Sequence, residues 1–591
     1  MAKHEKNDAN DRSTNTGTNF TRRRLLTGLG SLAATAAWLP AFRVSPASAQ
    51  AVGAPPPNFP ASIELYQQAY ENWAAEIRID ALWTCAPRSA LEIVAVANWA
   101  YHAGYQVRAR GSMHGWSPLT ITPDDGLDTR VILVDTRQHL TDMQLVSTAP
   151  TAVRVQPGAL MEELLAFLEL NGQGFLATPA VGEITVGGAL AIDGHGTGIP
   201  AQGEVPVPGF TYGSLSNLVV SLTAVVWDND SQQYDLRHFE RGHPHCRALL
   251  THLGRSFITE VTLRTGPNYL VRCQSITDVP AAELMAKPSS LLPRKLSSYL
   301  DSTGRVEIIW FPFTDKPWLK VWSLSPVKPL SSRAVSEPYN YPFADNIPRE
   351  ISDFADEMIS GNGSGTPYFG QMEYAAVVAG LKAMQAEDLW GWSKNLLLYV
   401  KPTTLRVTAN GYAIHTRRSN AQKVVSEFYQ KYSSMLAAYR ARNEYPMNGP
   451  VEIRVTGLDY AADVGIRNAD APAMSALRPR ADHPEWDVAV WFDLLTFPGT
   501  PGANVFFREM EQWLFEHFAG NYAMVRPEWS KGWGYTPQAA WSDPVVLAVS
   551  IPAAFPDETG SADGWDKTRK QLNQFDPHHV FSNRFLDRLL P

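Results

Sequence analysis

Most of the chemistry legible in this chain of 591 residues lies in one histidine set between glycines and a few charges set into apolar runs. His114 falls in Arg108-Ala-Arg-Gly-Ser-Met-His-Gly-Trp-Ser117, flanked by Gly111 and Gly115. Glycines allow a tight loop whose backbone N–H groups face an anion, and an imidazole in such a loop lies against whatever the loop holds. Read plainly, the same residues are a glycine-rich surface turn with an incidental histidine. Glu307 interrupts the apolar strand Val306-Glu-Ile-Ile-Trp-Phe311, and Glu452 and Arg454 sit on Val451-Glu-Ile-Arg-Val455. Residues two apart on a strand share a face, so Glu452 and Arg454 form one ion pair on one wall. If that wall lines a site, burial raises the carboxylate pKa while the arginine lowers it, which suits proton transfer. The plain alternative is an exposed cross-strand pair. Lys531, in Arg526-Pro-Glu-Trp-Ser-Lys-Gly-Trp533, is a further candidate, its plain reading being a surface lysine.

These groups need a frame. Upstream of His114 a helical segment leads into a short β-prone step, Tyr105 to Val107. A second glycine-dense stretch, Thr178-Pro-Ala-Val-Gly-Glu-Ile-Thr-Val-Gly-Gly-Ala-Leu-Ala-Ile-Asp-Gly-His-Gly-Thr-Gly198, follows a strand and a helix starting near Ala159. Leu160, Leu164, Leu165 and Leu168 recur there at helical spacing. Two later segments, Tyr212 to Leu222 and Leu253 to Arg264, complete an ordered set from Pro87 onward.

In this order the four segments resemble the FAD-binding loops of the vanillyl-alcohol-oxidase/p-cresol-methylhydroxylase superfamily, in its covalent-flavin branch. The resemblance implies FAD bonded through a ring nitrogen of His114 to the flavin 8α-methyl. It implies that Arg110, Gly111, Ser112, Met113, Gly115 and Trp116 form the loop around that bond. It places Pro179, Gly187, Gly188, Gly194, His195, Gly196, Thr197 and Ile258 along the pyrophosphate and the flavin. The closing segment, Gln574 to Arg584, resembles the family's return to the flavin domain, where Asn583 approaches the cofactor. The chain departs from the pattern around Arg255, Ser256 and Phe257, where the family carries a second small residue and a valine; local repacking beside the flavin accounts for this. No cysteine motif for a second flavin bond is present, so a single histidyl bond is expected.

Composition agrees with a large globular enzyme. The hydrophobic fraction is 45%, the charged fraction 19% and the formal net charge −8, which excludes disorder and argues against nucleic acid as partner. The 18 Trp, 24 Phe and 21 Tyr are ample for an apolar cavity, though a large aromatic core explains most of them. Thr21-Arg-Arg-Arg-Leu-Leu26, the weakly apolar run to Ala41 and Ala47-Ser-Ala49 read as a twin-arginine export signal over residues 1–49. That route carries folded, cofactor-loaded proteins, so a periplasmic or secreted location is expected. Three cysteines, Cys85, Cys246 and Cys273, leave at least one thiol unpaired. His243-Pro-His-Cys246 is poorly spaced for metal ligation, and no metal is expected.

The predicted fold is α+β. A Pro-rich linker (50–60) precedes a two-subdomain flavin domain (61–268), then a cap of antiparallel sheet and flanking helices (269–544), then a segment returning to the flavin domain (545–591). Within the cap, Ala421 to Ala441 reads as helix and Ser325 to Arg349 as a long loop. The cap motifs, including Trp310-Phe-Pro-Phe-Thr-Asp-Lys-Pro-Trp-Leu-Lys-Val-Trp322, are similar to those of covalent-flavin, class II cholesterol oxidases. That resemblance implies a 3β-hydroxysterol substrate, O2 as acceptor, and products hydrogen peroxide and a 3-ketosteroid with its double bond moved from position 5 to position 4. It implies that Glu452 and Arg454 gate an oxygen tunnel. Lys531 matches a basic residue near the flavin in aldonolactone and alditol oxidases. The expected base is Glu307 or Glu452, with Arg454 steadying charge on the C3 oxygen or orienting Glu452. A monomer is expected, with transient contact to membrane lipid. Two rivals stand beside this reading: an oxidase of a sugar, alditol or lactone on the same scaffold, and an exported hydrophobic-ligand binding protein.

Overall fold

The structure, a computed structural model, describes residues 53–146, 151–342, 358, 362–398, 406–556 and 563–591. The expected export signal and the first residues of the linker lie outside them, as do residues 343–349 of the expected long loop.

Three sheets and a ribbon organise the described residues. The first sheet holds β1 (Glu64–Glu71), β2 (Arg78–Ala86), β3 (Gln106–Arg110) and β4 (Val131–Asp135), in the order β1-β2-β4-β3. Its β2, β4 and β3 are parallel. The second sheet takes β5 (Met143–Val146), β6 (Ala152–Val155), β8 (Val219–Asp228), β9 (Gln233–Glu240) and β10 (Phe257–Arg264) in the order β5-β6-β10-β8-β9. All of its pairings are antiparallel. Apart from it, β7 (Gln173–Gly174) and β11 (Gly266–Pro267) form a two-stranded antiparallel ribbon.

The third sheet has nine strands: β12 (Leu270–Ile276), β13 (Arg305–Trp310), β14 (Trp318–Leu324), β15 (Arg333–Ala334), β16 (Asp388–Trp392), β17 (Thr408–Thr416), β18 (Val451–Gly457), β19 (Val488–Thr496) and β20 (Ala523–Pro527). Their order is β15-β16-β12-β14-β13-β18-β19-β17-β20, antiparallel except at β15 and β16. The expected antiparallel cap sheet is present, and the stretch from Ser325 holds only the short β15 among its described residues.

Periodicity explains these elements. On β10 exposure alternates residue by residue, the signature of a sheet with one covered face. β13 is buried throughout, so both of its faces are covered. One cover is the helix Ala421–Ala441, with the bounds expected from sequence. Its Val424, Val425, Phe428, Tyr432 and Met435 are buried at three- and four-residue spacing, and Phe428 stacks on Phe492 of β19 with centroids 3.9 Å apart. The helix expected from Ala159 begins at Met161, because Leu160 stays extended and bridges to Thr185.

The closing segment is buttoned into the first two sheets. Val107 donates its backbone N–H to Val580 O. Arg255 meets Asp576 at 2.8 Å, and both side chains are fully buried. Asp576 also accepts from Tyr234 Oη at 2.5 Å and from the N–H groups of Val580 and Phe581. Breaking a buried pair strands the surviving charge, so Asp576→Ala should cost about 3–5 kcal/mol. A thermal melt checks this; an unchanged midpoint would mean that the tail is not held here.

The three cysteines are free and buried. His243 and His245, with rings 5.1 Å apart, pack against Phe239 and Phe575. Among the described residues no cluster of His, Cys, Asp and Glu is arranged to hold a metal ion, and no helix is long and apolar enough to cross a membrane.

Candidate active site

One cavity of about 380 Å³ brings the glycine-rich segments and the cap charges together. From the loop after β3 it is lined by Gly111, Ser112, Met113, His114, Gly115 and Trp116. The second glycine-rich stretch contributes Pro179, Gly187, Gly188, Gly194 and His195, and β10 contributes Ile258. From the other side come Glu452, Arg454 and Lys531.

The remaining expected residues stand outside this lining. Arg110 ends β3 and pairs with Asp135 at 2.9 Å. Gly196 packs on the backbone of Thr178, and Thr197 donates its hydroxyl to Val306 O at 3.0 Å. Glu307 lies beneath the wall on β13, 3.9 Å from Arg454. Asn583, expected to approach the cofactor, has its side-chain amide bonded within the fold. It donates to Pro118 O at 3.0 Å and accepts from Leu586 N at 2.8 Å, capping the last helix. It braces the chain just beyond the His114 loop.

The loop is shaped by close approach. A Cβ at Gly111 would stand 2.4 Å from Thr185 Oγ1, so only glycine fits there. Met113 takes the left-handed conformation (φ 56°), an uncommon one for a side-chain-bearing residue, and turns His114 inward. Asn72 donates to Trp116 O at 2.8 Å. Ser530 O accepts the N–H groups of Trp116 and Ser117, joining the loop to the segment that carries Lys531. The His114 ring packs on Trp73, tilted by 35° with centroids 3.9 Å apart. Burial, helped by Arg406 and Lys531, pushes the His114 imidazole pKa down to about 3, so the ring is neutral.

Ser112 Oγ and Ser256 Oγ both border the cavity and are buried without a hydrogen-bond partner. Orphaned polar atoms of this kind call for a ligand. His252, also lining, accepts from Gly254 N on Nδ1, which leaves Nε2 as the donor. Glycine backbone, orphan hydroxyls and neutral imidazoles are a donor set that fits a flavin dinucleotide.

The cap wall is a charge cluster on strands. Register sets Glu307 opposite Arg454 and Glu452 opposite Asp493. Arg454 approaches Glu452 at 3.5 Å and is in closest contact with Asp493. Lys531, 7% exposed and so not a surface lysine, meets Asp493 at 2.5 Å and Glu528 at 3.0 Å. Burial pushes Lys531 down to about 8, with Glu528 opposing. Burial also raises Glu452, against the pull of Arg454. Glu528 would be raised by its burial, yet Lys531 holds it below the usual carboxylate range. His195 lies flat on Trp491, centroids 3.8 Å apart, and burial takes it down to about 4.

Sequence reasoning missed Asp493, Glu528, His252 and Trp73. Asp493 carried the signal that picked out Glu307, a charge within an apolar strand, and Glu528 stands three residues before Lys531. Nothing local marks Trp73 or His252.

Comparison with known proteins shows the family. A family model described as FAD binding domain matches residues 82–230, and one described as cholesterol oxidase, substrate-binding matches residues 270–591. No curated protein matches the chain. Among solved structures, a solvent-stable cholesterol oxidase is 54% identical, with 91% of this chain and 100% of that one covered and a TM-score of 0.89. The cholesterol oxidase from B. sterolicum is 45% identical, covering 92% of this chain and all (100%) of its own, with a TM-score of 0.89. A histidine-to-alanine mutant of cholesterol oxidase from Brevibacterium sterolicum is 44% identical over the same shares, 92% and 100%, with a TM-score of 0.88. With a cofactor loop and a cap wall meeting at one cavity and this similarity along nearly its whole length, the chain belongs to the cholesterol oxidase family.

Proposed function

We propose that this chain is an FAD-dependent alcohol oxidase that converts a 3β-hydroxysterol and O2 to the 3-ketosteroid and hydrogen peroxide. We propose further that it holds its flavin covalently through His114 and moves the sterol double bond from position 5 to position 4. The carrying observation is that Glu452, Arg454 and Lys531 open onto the same cavity as the His114 loop. FAD, when bound, supplies the hydride acceptor and passes the electrons to O2.

The chain's own residues supply binding and proton transfer. Ser112, Ser256 and the glycine backbone bind, and the neutral His114 ring keeps the nitrogen lone pair that a bond to carbon requires. A carboxylate of the cap wall, Glu307 or Glu452, takes the hydroxyl proton. Arg454 steadies the negative charge developing on the C3 oxygen. The same or a neighbouring carboxylate then carries a proton from C4 to C6. Trp116 and Trp73 cover the His114 side against water.

The same reading divides the chain into a flavin domain to residue 268, a cap to residue 544 and a returning tail, acting as a monomer. Tyr269 begins the change in sequence character that supports the first boundary. Export by the twin-arginine route, supported by Thr21 to Leu26, delivers the folded, flavin-loaded protein to periplasm or medium, where it meets sterol in lipid.

The test gives the purified mature protein cholesterol and O2 and follows peroxide together with the ultraviolet absorption of a conjugated enone. Both signals are expected. Peroxide without enone would remove the isomerisation. Peroxide from sugars or alditols but not from sterols would overturn the substrate class.

A further inference from the structure

Three strands converge on one guanidinium. β13 sets Glu307 opposite Arg454, and β18 pairs with β19 so that Glu452 lies opposite Asp493. Directly opposed residues share a face, so Glu307, Glu452 and Asp493 all reach Arg454. They do not hold it equally. Asp493 Oδ2 has the closest contact with Arg454 Nη2, while Glu452 stands 3.5 Å from that nitrogen and Glu307 3.9 Å from Nη1. The same Asp493 oxygen takes Lys531 Nζ at 2.5 Å.

Access separates the carboxylates too. The Asp493 side chain is 0% exposed, against 26% for Glu452, which lines the cavity. Asp493 Oδ1 has no hydrogen-bond partner. It lies against Gly411, where a Cβ would stand 3.0 Å from it and 3.0 Å from Glu528 Oε2. One oxygen is occupied by two cations and the other faces backbone, so neither meets a substrate in the cavity.

We propose that Asp493 is the positioning residue of this site: by holding Arg454 and Lys531 on one oxygen, it leaves Glu452 as the carboxylate that accepts the substrate's hydroxyl proton. The inference rests on the sterol-oxidase reading above. The O–H bond breaks toward Glu452, and the electron pair of the adjacent C–H bond leaves as hydride to the flavin. The proton on Glu452 is returned as O2 is reduced to peroxide.

Charged groups face Glu452 from every packed element: Arg454 on its own strand, Glu307 on β13, Lys320 on β14, Asp493 on β19, and Glu528 and Lys531 in the segment from the end of β20. Burial and the two glutamates push Glu452 up, while Arg454 and Lys531 pull it down. Asp493→Asn removes the negative charge that both cations share, so their field falls more fully on Glu452. Its ionised form is then favoured and it loses its proton at lower pH.

The test is the pH profile of kcat/KM with cholesterol for the wild type, Asp493→Asn, Glu452→Gln and Glu307→Gln, each with its bound flavin quantified by absorbance. In Asp493→Asn the acid limb should move down by about one pH unit, with flavin content unchanged; a purely structural role would not move it. Glu452→Gln should lose the limb and about 10²–10⁴-fold in rate. A limb that stays or rises in Asp493→Asn overturns the proposal. So does a limb lost in Glu307→Gln and kept in Glu452→Gln, a comparison that decides the matter even if Asp493→Asn does not fold. A wild-type protein giving no peroxide from cholesterol sinks the underlying sterol reading instead, and is seen before any variant is compared.

Discussion

His114→Ala protein should release all of its flavin on denaturation, whereas wild-type protein should keep it. The loop does not depend on the imidazole for its shape. Asn72 and Ser530 hold Trp116 and Ser117, and Thr185 fills the space beside Gly111. On the proposed attachment, the substitution removes the attachment point and leaves the cradle, so the variant should keep at most a dissociable flavin. Burial keeps the His114 ring neutral far below neutral pH, and its tilted packing on Trp73 holds the ring in place. Acid precipitation, with absorbance read in pellet and supernatant, checks the outcome. Flavin remaining in the His114→Ala pellet would place the attachment elsewhere.

Arg454→Met should lower kcat by about 10²–10³-fold, the loss typical when one donor to a developing oxyanion is removed. Methionine keeps much of the volume and none of the charge. Glu307 and Glu452 lose their shared cation, while Asp493 retains Lys531. Because Arg454 lowers Glu452, removing it lets burial raise Glu452 further. The acid limb of kcat/KM should then move to higher pH, opposite in sign to Asp493→Asn. Arg454→Lys should fall between. An ammonium is a compact point charge, whereas the guanidinium presents separate nitrogens to Glu307 and to Glu452 with Asp493. Steady-state kinetics across pH checks all of this; a limb that ignores Arg454 would mean that the base does not sense it.

The cofactor side of the site is legible from sequence because its determinants are local. Gly111, Gly115, Gly187, Gly188 and Gly194 mark close backbone approach whatever the rest of the chain does, and all of them line the cavity with His114. The helix Ala421–Ala441 was equally plain, since its apolar residues repeat at three- and four-residue spacing. Period two put Glu452 and Arg454 on one face correctly, and the structure brings them to 3.5 Å.

The motif marks Asn583 as special, and in the structure its side-chain amide caps the last helix and holds the chain at Pro118.

The sequence by itself determined the glycine-rich cradle, the strands that carry Glu307, Glu452 and Arg454, the helix Ala421–Ala441 and the face that Glu452 and Arg454 share. Tertiary structure alone decided which charges meet across strands. Strand periodicity names a face but not a neighbour: β13 pairs with β18, and β17 with β19 and with β20, although no strand of these pairs directly follows its partner in the chain. Register then put Glu307 opposite Arg454 and Asp493 opposite Glu452, and folding brought Lys531 from beyond β20 onto Asp493 and Trp73 from ahead of β2 onto His114. A buried charge must find a counter-charge, and a ring in a cradle must find a surface to rest on, but which ones they find follows from sheet order and register, which no local pattern contains.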